Sequence, residues 1–119
     1  MATYGINDKL EKVKIIELTG SVSVSASSLS SVYWNSTALE NAGIETVHLG
    51  DYAVLDCQYK IGTSKIWNVN RGLVVSGVVA PYVQIDTDLT QISAAIYNED
   101  SSAVTIYVKV RLIKVAEYE

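Results

Sequence analysis

Residues 103–115 read AVTIYVKVRLIKV, and this run decides the fold class. Val104, Ile106, Val108, Val110 and Leu112 alternate with Thr105, Tyr107, Lys109 and Arg111. Successive side chains of a strand point to opposite faces, so the run describes a strand with one apolar and one wet side. An antiparallel sheet covered on a single face requires that pattern. The alternation slips at Leu112-Ile113, and again at Ile15-Ile16 near the other end of the chain. Each doublet puts apolar residues on both faces, which predicts a bulge or a strand end buried against another protein.

The same period extends outward from this run. Ile92, Ala94 and Ile96 alternate with Gln91, Ser93, Ala95 and Tyr97, and Val22, Val24 and Ala26 alternate with Ser21, Ser23, Ser25 and Ser27. Strands are expected near 12–18, 20–26, 30–35, 44–49, 51–60, 65–69 with 73–80, and 82–87, with 91–97 and 103–115 forming a closing hairpin. Gly50-Asp51 opens one of them, Asn70-Arg71-Gly72 turns the chain into the next, and Pro81 suits a corner. Gly77, amid Val74-Val75 and Val78-Val79, reads as a bulge or a close backbone approach. Helical signals are few: a capped turn over Lys9–Lys12, and another over Ser36–Asn41 before Gly43. The expected fold is therefore all-β, an antiparallel β-sandwich of about eight strands with a jelly-roll-like arrangement.

The chain has 119 residues, the size of one domain, and residues 1–119 are read as a single sandwich with 1–12 a candidate attachment arm. Hydrophobic residues make up 49% and charged ones 18%, so the surface is rich in Ser, Thr and Tyr rather than ionic. A net charge of −4 argues against nucleic acid as partner, since such domains usually carry a basic stripe. The charge is uneven: Lys9, Lys12 and Lys14 near one end and Lys109, Arg111 and Lys114 near the other flank a middle rich in acids. If the terminal strands are neighbours, these bases form a patch; as lone edge lysines they would guard a sheet edge. Neither an apolar leader nor an 18-residue apolar run occurs, so the expectation is synthesis in a cytoplasm without membrane insertion.

Chemistry-bearing residues are sparse. His48, the one histidine, is expected on a strand pointing outward, without the fixed partners a catalytic base needs. Cys57, the one cysteine, is expected to be a small buried hydrophobe, with Leu55 on the same strand face. Asp86-Thr87-Asp88 is read as turn chemistry in preference to a Ca²⁺ site. No Gly-rich phosphate loop or zinc-ligand set is present, and neither an enzyme activity nor a cofactor is expected. Eight Tyr, two Trp and no Phe is an interface-like aromatic set, because Tyr offers apolar area with a polar tip. Trp34 and Trp67 are divided between core, subunit contact and ligand-stacking roles.

Leu49–Val115 carries a wider pattern: Gly50-Asp51-Tyr52-Ala53-Val54-Leu55, then Gly72-Leu73-Val74-Val75-Ser76-Gly77-Val78-Val79, then Tyr82-Val83-Gln84-Ile85. An Ile-Tyr-Asn turn at Ile96–Asn98 leads into Ala103-Val104-Thr105 and the final strand. This outline resembles small virion proteins of tailed bacteriophages, of the capsid-decoration and head-fibre kind. Such proteins often have Pro-Gly before the Gly-Asp, where this chain has His48-Leu49, and the first 45 residues lie outside the resemblance. The resemblance implies a sandwich that oligomerises, commonly as a homotrimer, and attaches in the virion to the major capsid protein or another virion protein. On that reading Tyr4, Lys12, Lys14, Ile16, Lys109, Arg111 and Ile113 are the expected subunit or capsid contacts. The alternative is a receptor- or glycan-binding module of a tail fibre, with Tyr59 and Trp67 as its platform.

Overall fold

A computed structural model describes residues 15–72 and 74–115. Eight strands form two four-stranded sheets. They are β1 Ile15–Val24, β2 Ser28–Trp34, β3 Tyr52–Ile61, β4 Asn68–Val69, β5 Val74–Val75, β6 Val78–Asp86, β7 Gln91–Asn98 and β8 Val104–Lys114. Sheet A has the order β1-β8-β3-β4 and sheet B the order β2-β7-β6-β5, with every pair antiparallel. The chain is an all-β sandwich. Its outer strands wrap as in a jelly roll, β1 beside β8 in one sheet and β2 beside β7 in the other. The short strands depart from that plan, since β3 and β4 pair in one sheet and β5 and β6 in the other.

The inward half of each alternating run makes the core. Ile16, Leu18 and Val24 of β1 meet Ile106, Val108, Val110 and Leu112 of β8 and Cys57 and Tyr59 of β3. Sheet B contributes Val32, Trp34, Ile92, Ala94, Ile96 and Val78. Each buried Ile, Leu or Val contributes roughly 1.5–3 kcal/mol relative to exposure, so these residues dominate stability. Gly20 lets the layers close up. A Cβ there would sit 2.6 Å from Val32 Cγ1, and Trp34 packs beside it and donates its indole N–H to the Thr19 carbonyl at 3.0 Å.

Two asparagines add polar clips between the sheets. Asn70, just past β4, donates through Nδ2 to the Pro81 carbonyl on β6. Asn98, fully buried at the end of β7, directs Nδ2 at the carbonyls of Val24, Ser25 and Ser102 at 3.3, 3.4 and 2.8 Å. Its Oδ1 accepts from the Asp100 N–H at 3.0 Å. Buried amides need such partners, and here one side chain pins the β1–β2 corner to the β7–β8 corner.

Several sequence expectations change. β7 and β8 do not pair with one another; they lie in opposite sheets, so the Glu99–Ala103 link is a crossover instead of a hairpin turn. The strand expected over 44–49 is a 3₁₀ helix, Thr46–Asp51, in which only Leu49 is buried and Val47 is exposed. The strands expected at 12–18 and 20–26 are one strand, β1, within its described span. Pro81 is no corner. It lies inside β6 where the register against β7 shifts between Val79 and Tyr82, beyond the two β5 residues that pair with β6. There β6 has no neighbour on its second side and the missing N–H does no harm. The helix over Ser36–Asn41, labelled α1, forms as expected, with the Asn35 side chain accepting from the Ala38 N–H. The turn expected over Lys9–Lys12 lies outside the described residues.

The bulge predicted from the apolar doublets also moves. β1 and β8 pair without a break from Ile15↔Ile113 to Val24↔Val104. The extra residue is in β3, where the register shifts between Val54 and Asp56. Leu55 is that residue. It is exposed, and does not share the inward side of Cys57.

Candidate functional site

The two outer faces of the sandwich differ in kind. On sheet A the cross-strand rows are ionic. Glu17, Arg111 and Asp56 make one row, and Thr19, Lys109, Gln58 and Val69 the next; Ser21, Tyr107 and Lys60 follow. Arg111 grips both Asp56 oxygens in a fork, with Nε 2.9 Å from Oδ1 and a short contact from Nη2 to Oδ2. That hydrogen-bonded guanidinium holds the Asp56 carboxyl below its usual range, against the opposing effect of burial. Lys109 lies 3.7 Å from Glu17, and Lys114 lies 3.7 Å from Glu45.

These pairings bear directly on the expected contact residues. Lys109 and Arg111 do share the outer face of sheet A, beside β1, but each has an acidic partner, so they do not form an open positive patch. Ile16 points between the sheets and is a core residue. Ile113 is half-buried beside exposed Ile15 and half-buried Ala53 in an apolar row at one end of sheet A. Tyr4, Lys12 and Lys14, and the candidate arm 1–12, lie outside the described residues.

The two aromatic residues of the expected platform differ in exposure. Tyr59 is 1% exposed and belongs to the core, so it offers no stacking face; burial first, and the neighbouring Cys57 second, raise its hydroxyl pKa. Trp67 follows the β3–β4 loop on the outer side. The Lys109 and Lys60 ammoniums stand 4.4 and 5.2 Å from its ring centroid, and Lys60 also stands 4.9 Å from the Tyr107 centroid. These are cation–π contacts that occupy the Trp67 ring. Tyr59 and Trp67 both line a shallow cavity of about 150 Å³, shared with Asn68, Val69, Arg71 and Val75. Trp34 is in the core.

The remaining chemical groups are quiet. His48 is exposed on the 3₁₀ helix, 3.8 Å from a Glu45 oxygen and 3.7 Å from an Asp51 oxygen. Cys57 is buried, and burial pushes its thiol up to about 12, with the Asp56 charge adding to the shift. Asp86 Oδ1 accepts from the Leu89 N–H at 3.0 Å, which makes Asp86–Leu89 a turn as expected. Among the described residues, no group of three or more His, Cys, Asp or Glu is placed to hold a metal ion. No described helix is long and apolar enough to cross a membrane.

Sheet B carries the unusual surface. Its outer face has three consecutive rows: Leu29, Tyr97, Val79 and Val74; then Ser31, Ala95 and Tyr82; then Tyr33, Ser93 and Gln84. None of these residues is charged. Leu29 is 64% exposed, Tyr33 63%, Tyr82 69% and Val74 52%. The exposed apolar side chains thus cluster on one uncharged face, a feature that commonly marks a contact surface. Three tyrosines on a flat, neutral sheet are suited to contact with another protein, because each buries a wide ring while its hydroxyl keeps a hydrogen bond. Nothing along the sequence marks this face, because each row takes its residues from different strands far apart in the chain. Only the β2-β7-β6-β5 order collects them. Comparison with protein-family models, with curated proteins and with solved structures finds no match.

Proposed function

We propose that this protein is a non-enzymatic structural module that works by contact, a virion protein of the capsid-decoration or head-fibre kind that self-associates and attaches to a phage capsid. The observation that carries the contact role is the neutral, tyrosine-bearing outer face of sheet B, with Leu29, Tyr33, Tyr82, Tyr97 and Val74 turned to solvent. The virion setting comes from the resemblance of Leu49–Val115, and the face supplies the surface that such a module needs. Particles assembled with and without the protein, compared by electron microscopy, test the reading. Extra density on the shell in its presence is the expected result. Identical particles, together with no co-sedimentation of added protein, would remove it.

A second reading rests on one observation: the shallow cavity beside Trp67, with Lys60 and Lys109 over the ring. A glycan-binding tail-fibre module would use it. Binding on a glycan array that Trp67→Ala abolishes, with the fold retained, would favour this reading over the first.

A further inference from the structure

The four sheet edges are built unequally. Edges β4 and β5 are two residues long, the usual way of denying a template to a foreign strand. Edges β1 and β2 are ten and seven residues long. On β1, Glu17 faces Lys109 and the Thr19 carbonyl is taken by the Trp34 indole. β2 reads Ser28-Leu29-Ser30-Ser31-Val32-Tyr33-Trp34 and carries neither charge, proline nor bulge along its pairing with β7. Within its own described residues, β2 therefore lacks the charge, proline and bulge that commonly guard an edge.

We propose that β2 is completed by β2 of a second copy, antiparallel, about a twofold axis through Ser31. The register is self-complementary. On the outer face Leu29 meets Tyr33 of the second copy, Ser31 meets its own counterpart, and Tyr33 meets Leu29. Apolar–aromatic and hydroxyl–hydroxyl pairs are the favourable cross-strand combinations, and no like charges oppose each other although the chain is acidic overall. The pairing sets two exposed apolar side chains, Leu29 and Tyr33, edge to edge across the seam. It also makes sheet B eight strands wide. Because the axis is perpendicular to the sheet, both neutral faces then lie on the same side and form one surface about twice as large. An isologous contact of this kind closes on itself without growing into a fibre. The pairing deepens the contact-module reading and rests on it for its purpose, but its geometry depends on β2 alone.

Sedimentation equilibrium of the full chain, run up to the hundred-micromolar range, tests it with Ser31→Lys, Ser31→Glu and Tyr82→Glu. Wild type is expected at about twice 12.9 kDa, and each Ser31 variant near 12.9 kDa with an unchanged circular dichroism spectrum. An equal mixture of the two Ser31 variants should return to the doubled mass, because Lys then faces Glu. Tyr82→Glu, two strands away, should stay doubled. Monomeric wild type, doubled Ser31→Lys, a mixture that stays monomeric, or a monomeric Tyr82→Glu would each overturn the pairing. Amide exchange of wild type covers the case of unfolded variants: β2 amides must slow as concentration rises, and unchanged rates overturn the inference. A monomeric Ser31→Lys that still decorates particles leaves the functional reading standing. A doubled wild type that binds no particle removes that reading and leaves the pairing.

Discussion

Cys57 and Asn98 show how one inward position fixes chemistry. With its thiol pushed up to about 12 by burial, Cys57 is protonated at any physiological pH, and the thiolate is the reactive form. A disulfide exchange reagent at pH 8 is therefore expected to label native protein at least a hundredfold more slowly than denatured protein; comparable rates would show that the β3 interior is open. Asn98 has the opposite character, a polar group in the core whose removal strands the carbonyls of Val24, Ser25 and Ser102. Asn98→Ala should destabilise by about 2–3 kcal/mol, read as a lowered denaturant midpoint at unchanged slope. Cys57 was legible from its apolar neighbourhood. Asn98 was legible in principle, since it continues the inward series Ile92, Ala94, Ile96, but a turn-forming residue before Glu99-Asp100 reads first as a turn.

At the scale of the element, the period of two located β7, β8 and the second half of β1, because burial on one face dictates alternation. It could not say which strand each pairs with. A five-residue link between β7 and β8 fits a hairpin as well as a crossover, and the Asn98 clip decides for the crossover. Residues 44–49 failed for a related reason: Val47 and Leu49 alternate as a strand would, yet only Leu49 finds a core to enter. Within sheet A, Asp56–Arg111 ties β3 to β8 just beyond the bulge. The Asp56 pKa is lowered on folding, so this interaction stabilises above the unfolded carboxylate range near about pH 4 and fades as pH falls through the lower folded value. Asp56→Asn should accordingly narrow the gap between stability at pH 6 and at pH 2.5. An unchanged gap in urea titrations at the two pH values would show the pair to be inert.

Across the whole molecule, charge is unevenly placed, and on the outer side of sheet B it begins only at Asp86, one row past the neutral three. Glu17, Asp56, Lys60, Lys109 and Arg111 stand on sheet A, and the three rows of sheet B hold none. The sequence displayed the ingredients, few charges and many tyrosines, and pointed the contact surface at the basic terminal strands. In the structure the described bases Lys109, Arg111 and Lys114 have acidic partners, whereas the neutral face is assembled from four strands spread over Leu29–Tyr97. Contact through that face requires desolvating apolar rings and few ions, which is the cheaper arrangement for a tight protein surface. The most direct test is co-sedimentation of the protein with capsid particles, comparing wild type, Tyr82→Glu on sheet B and Tyr107→Glu on sheet A. Binding is expected to fall tenfold or more for Tyr82→Glu and to stay at the wild-type level for Tyr107→Glu; the reverse order, or equal binding by all three, would rule out contact through sheet B.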